Sequence, residues 1–179
     1  MHMQESTEKP SLIDTAGIMA LPVALLWTLS FLSTMYGTRY EMLSILSSIL
    51  PMLSIWTLFR QLSNYRRLYH PVSWMHILRI SLMASLLAGL LTDAAQYAYF
   101  AFLDQGQLLS NLATAMQTEE YREAMKQVLP GVSIEEMQQI IQSTTIRDMM
   151  VQIVLFNVMI ALPFSLMAAL PVRKPQPKQ

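Results

Sequence analysis

Residues 80–103 read ISLMASLLAGLLTDAAQYAYFAFL, and this stretch decides the fold. A helix needs about 20 mostly apolar residues to cross the hydrocarbon core of a bilayer. The run is longer than that and carries one charge, Asp93. A carboxylate near the bilayer centre costs ~2.5–3.5 kcal/mol on insertion scales, so it faces protein or water rather than lipid. On a helix, Ser81, Ser85, Gly89, Asp93 and Tyr97 recur at steps of four and form one column. Small residues in such a column let two membrane helices approach closely. The spacing therefore predicts a membrane helix with Asp93 turned toward a neighbouring span.

Three further segments have the same character. Residues 16–36 and 42–59 are uncharged, and residues 149–170 have Asn157 as their most polar side chain. Pro22, Pro51 and Pro163 interrupt them. Proline is tolerated in membrane helices because neighbouring groups can satisfy the carbonyl it frees. The expected fold is all-α: a polytopic membrane protein with four transmembrane helices and an amphipathic helical hairpin between the third and fourth spans. The first span does not read as a cleaved signal peptide, since Glu5, Glu8 and Asp14 oppose Lys9 before it and its apolar run is too long.

Composition agrees. Of 179 residues, 53% are hydrophobic and 13% charged, against about 25% charged in an average soluble domain. Such a chain is too apolar for intrinsic disorder. Its 12 basic and 12 acidic residues cancel, leaving no positive excess for nucleic-acid binding. Cysteine is absent, which removes disulfides, thiolate nucleophiles and cysteine-bound metals. With three histidines and no third ligand near His70 and His76, no metal site and no cofactor is expected.

Zero net charge conceals an asymmetry. The connection from Arg60 to Arg79 holds Arg60, Arg66, Arg67 and Arg79 and no acid, and the tail at 171–179 holds Arg173, Lys174 and Lys178. Basic loops are retained on the cytoplasmic side. Both segments, and with them the N-terminal segment 1–15, are assigned inside. The segment 104–148 falls outside, with Asp104, Glu119, Glu120, Glu123, Glu135, Glu136 and Asp148 against Arg122, Lys126 and Arg147. Within it, Thr118-Glu119-Glu120 reads as a helix start, Pro130-Gly131 as a break, and Ser133 with Glu136 as a capping box. The hairpin is expected to cover the outer mouth of the spans or to offer a docking surface.

Two candidate sites emerge. Asp93 lies seven residues inside Phe100, about 10 Å, and Asn157 lies eight residues inside Met149, about 12 Å. At similar depth on sequential spans, the two are expected to hydrogen-bond, with Gln96, Tyr97 and Gln152 extending a pathway for a substrate or ion. Arg60, Tyr65, Arg66, Arg67 and Arg79 are candidate contacts for anionic lipid headgroups. There is no nucleotide loop, nucleophile motif or paired catalytic carboxylate, so an enzyme is not expected. Fifteen methionines read as gap filling rather than copper binding.

The inner Tyr65-Arg66-Arg67 segment, the run from Asp93 to Asp104 and the long outer insertion before the last span together resemble a bacterial family of four-span inner-membrane proteins that is known only as a domain of unknown function. The resemblance covers nearly the whole chain. It implies a multi-pass protein of the bacterial inner membrane with both termini cytoplasmic, and an accessory subunit for a partner such as a polyprenyl-phosphate glycosyltransferase. Two roles follow: a non-enzymatic accessory or scaffold protein that packs as a four-helix bundle and binds a membrane partner, or a small transporter or lipid-linked-substrate carrier, expected as a homodimer, with Asp93 in its pathway.

Overall fold

A computed structural model describes residues 11–37, 40–119, 121, 123, 133, 139–141 and 143–173. Among these residues the chain is helical, without strands. In order come α1 (Leu12–Gly37), α2 (Glu41–Leu68), α3 (Trp74–Ala98) running into a π-helical turn (Tyr99–Asp104), α4 (Gln107–Ala115), and α5 (Ile146–Ala169) with a closing 3-10 turn (Leu170–Arg173). Four helical segments, Leu12–Gly37, Glu41–Leu68, Trp74–Asp104 and Ile146–Val172, are long and apolar enough to cross a membrane.

These helices are longer than the apolar windows. α2 continues from the expected end at residue 59 to Leu68, and α3 starts at Trp74 rather than at 80. Most of the stretch from Arg60 to Arg79 therefore belongs to the two helices, and residues 69–73 form the connection between them. Arginine and glutamine end a hydropathy window but are good helix formers. α2 ends at Tyr69, whose φ of −113° and ψ of 28° leave the helical range while its N–H makes the last bond of the ladder, to the Tyr65 carbonyl.

The contacts divide the chain into two units, one of residues Met1–Ala94 and Val154–Gln179 and the other of Ala95–Ile153. In the first, all four long helices contribute to one core: Ala16, Ala20 and Val23 from α1, Leu58 and Leu62 from α2, Ile77, Ile80, Ala84 and Ala88 from α3, and Phe164 and Ala168 from α5. Ser54, Ser81, Ser85 and Ser165 are fully buried, while Ile18, Leu25, Met52, Trp56, Leu155, Phe156 and Met159 are exposed. Large apolar residues outside and small hydroxylated ones inside is how helices pack in lipid, where close approach replaces the hydrophobic effect between helices.

Hydroxyls and indoles tie the helices together. Trp27 Nε1 donates to Ser54 Oγ at 2.9 Å, and Trp27 meets Phe164 edge-on at 4.9 Å. Ser81 Oγ donates to the Ser165 carbonyl at 3.0 Å. Thr92 Oγ1 lies 2.9 Å from the Ala88 carbonyl and 3.4 Å from that of Ala24. Pro51 lacks the N–H that would bond the carbonyl of Ser47, and Ser30 Oγ of α1 donates to that carbonyl instead, at 2.8 Å.

In the second unit, Asp104 caps α4 by accepting the Leu108 N–H on its carboxylate. Gln105 and Gly106, at φ 48° and 86°, make the left-handed turn between the π-helical segment and α4. α4 is a helix that the apolar runs do not predict; its sequence signal is Leu108, Leu109 and Leu112, and Met116 just beyond its end is buried. Glu119, Tyr121 and Glu123 are helical, and the Tyr121 N–H bonds Thr118 Oγ1, as the expected helix start requires. Most of the expected hairpin, including 124–132 and 134–138, lies outside the described residues. Thr145 and Asp148 form a reciprocal capping box at the start of α5.

Candidate functional site

α3 carries Asp93 on its inward face because Ser81, Ser85, Gly89 and Asp93, at helical spacing, are all buried. Asp93 is 6% exposed. Asn157 of α5 donates from Nδ2 to Asp93 Oδ1 at 2.5 Å. The pair expected from depth alone is therefore present. Gly89 opens the space: a Cβ there would stand 3.7 Å from Asn157 Cβ and 3.9 Å from Trp27 Cζ3.

Beside the pair is a crevice of about 170 Å³ between α3 and α5, lined by Leu86, Gly89, Leu90, Asp93, Asn157 and Val158. Leu90 is 56% exposed and Val158 52%, so the crevice opens where these helices present apolar side chains outward. Its leucine and valine lining was not singled out in the sequence, although Leu86 and Leu90 stand a turn or two from Asp93 and Val158 adjoins Asn157. Below the pair, Ser85 Oγ donates to the Ser81 carbonyl and Ser81 Oγ to that of Ser165. Both serine hydroxyls of this column are thus engaged with backbone.

Gln96, Tyr97 and Gln152, expected to extend the pathway, belong to the second unit. Tyr97 is 52% exposed, Gln152 is exposed, and Gln96 Oε1 is buried with no hydrogen-bond partner among the described residues.

At the basic end, two of the candidate headgroup contacts also pack against the protein. Tyr65 is buried at 5% exposure; its hydroxyl meets His76 Nε2 at 3.3 Å and its ring packs 4.8 Å from Tyr69. Its ring and hydroxyl are thus engaged within the bundle. Arg66 Nη1 donates to the Val172 carbonyl, bracing the end of the last span. A cation at the carbonyl end of a helix is favoured by its dipole. Trp74 Nε1 makes a similar bond to the Ala169 carbonyl at 3.4 Å. Arg60, Arg67 and Arg79 are exposed, and Arg60 lies 5.5 Å from the centre of the Trp56 ring. Among the described residues, no group of three His, Cys, Asp or Glu is placed to hold a metal.

Residues 15–174 match a family described as a protein of unknown function, DUF4199. The chain belongs to this family. The match runs from the first turns of α1 through the final 3-10 turn, so DUF4199 takes in all four apolar helices together with the Asp93–Asn157 pair. No curated protein and no solved structure matches the chain. Family and fold together make this an integral, multi-pass membrane protein, and the family description carries no activity.

Proposed function

We propose that the chain is a non-enzymatic accessory or scaffold protein that binds a membrane partner. The observation that carries this reading is the state of the intramembrane polar column. Asp93 accepts a hydrogen bond from Asn157, and beneath it Ser81 ties α3 to α5 while Ser85 bonds its own helix. A transport path needs groups that exchange partners with a passing ion or solute, whereas these are engaged with the protein itself. The family resemblance suggests a polyprenyl-phosphate glycosyltransferase as the partner. Mild-detergent purification from native membranes, followed by mass spectrometry, tests the reading: a stoichiometric membrane protein is expected, and recovery of the chain with only itself or lipid overturns it.

The second reading is a small transporter or lipid-linked-substrate carrier, favoured by the crevice that reaches Asp93. It requires that Asp93→Asn abolish flux in proteoliposomes while the fold survives. We further propose residence in the bacterial inner membrane with both termini cytoplasmic, supported by the exposed Arg60, Arg67 and Arg79 at one end of α2 and α3 and by the acidic outer segment.

A further inference from the structure

Asp93 is the one acid in the apolar core of the third span, and ionisable residues at such depth face the bundle interior or a cavity and pair with one another or with backbone carbonyls. Among the described residues no basic side chain pairs with it; its partner is the neutral Asn157 amide. The crevice leads from this carboxyl to the outward face of α3 and α5, past the exposed Leu90 and Val158. An intramembrane acid is thus reachable sideways, from the bilayer, through an apolar opening.

We propose that this crevice is the socket for a transmembrane helix of a different protein carrying one lysine at the depth of Asp93. Charge complementarity selects the occupant, since a cation removes the penalty of a carboxylate in hydrocarbon and an acid or an apolar side chain does not. Geometry selects lysine over arginine. A guanidinium fork would have to share Oδ1 with the Asn157 amide, whereas a compact ammonium can be held on Oδ2 alone. Size agrees: at about 170 Å³ the crevice is slightly larger than an apolar cavity of about 150 Å³ that admits benzene, enough for a butylammonium group. The inference rests on the accessory-subunit reading and names the chemistry of its partner.

The test uses the full chain in phosphatidylcholine vesicles with dansyl-labelled leucine-alanine transmembrane peptides bearing a central lysine or a central leucine. Energy transfer from the protein's tryptophans, of which Trp27 adjoins the site, reports association. The lysine peptide is expected to associate at least tenfold more tightly than the leucine peptide, and Asp93→Asn is expected to erase the difference. Val158→Trp, which blocks the mouth from an exposed position, is expected to do the same and keeps the test valid should the first variant fail to fold. Equal binding of the two peptides overturns the proposal, as does a preference that survives either folded variant. Dodecylammonium displacing the lysine peptide at equal membrane mole fraction also overturns it, because the site then reads a free amphiphile and not a helix. If the peptides fail while a stoichiometric partner still co-purifies, this inference falls and the accessory reading stands.

Discussion

At the scale of single residues, the Asp93–Asn157 bond joins the one acid of the third span to α5. Interhelical hydrogen bonds in membrane proteins contribute about 0.6 kcal/mol on average and up to about 1.7. Asn157→Leu removes the donor and leaves the carboxyl buried without a partner, so a loss of about 1–2 kcal/mol is expected in detergent-unfolding titrations. Asp93→Asn preserves a hydrogen-bonded pair of the same shape and is expected to change stability by less than about 0.5 kcal/mol. Equal losses in the two variants would show that the charge, not the bond, holds the helices. This pair was legible in the sequence because helical rise converts residue number into depth, and two polar residues at one depth on sequential spans have few alternatives. Tyr65 was not legible. A tyrosine beside arginines suits an interfacial belt and a buried ring stack equally, and only packing against Tyr69 and His76 separates them.

At the scale of elements, the proline in α2 shows how the bundle tolerates a broken ladder. The Ser47 carbonyl, which Pro51 cannot bond, is satisfied by Ser30 of the neighbouring helix. Ser30→Ala should therefore cost about 1 kcal/mol, since it orphans a carbonyl in an apolar setting. Pro51→Ala restores an N–H in the right position within α2. In the double variant the loss caused by Ser30→Ala should shrink by at least half, and unfolding titrations of the four-member cycle measure this coupling. Additive losses would contradict the compensation. A comparable division applies to the basic ends of α2 and α3. Replacing exposed Arg60, Arg67 and Arg79 by Gln should reduce enrichment of anionic lipid around the purified protein, at about 1 kcal/mol per charge. Arg66→Gln should instead lower stability by about 1 kcal/mol through its lost bond to the Val172 carbonyl, with little effect on lipid. Native mass spectrometry against unfolding titrations distinguishes them. Four helices of membrane length were legible from apolar runs alone. Their true ends were not, because an arginine closes an apolar window without closing a helix, whereas Tyr69 and the capping Ser73 set the boundaries.

At the scale of the whole molecule, the question is which face of the membrane each end of the helices meets. Arg60, Arg66, Arg67 and Arg79 gather around the short connection between α2 and α3, and the acids of the 104–148 segment lie on the other side of α3 in the chain. Retention of basic residues in the cytoplasm sets orientation in short loops, while acids contribute little, so the arginines are the determinant. The absence of cysteine makes the experiment clean, because any thiol introduced is the only one present. Ser73 sits in the connection and Ser110 on α4, and both are exposed. In intact cells a membrane-impermeant maleimide should label Ser110→Cys at once and Ser73→Cys only after permeabilisation. The reverse pattern would invert the orientation and place the basic connection outside. Replacing all four arginines by Gln should then convert the single pattern into a mixed one, with both sites labelled in part. If labelling stays unmixed in that variant, orientation is set by something other than these charges, and the basic tail beyond α5 becomes the segment to alter next.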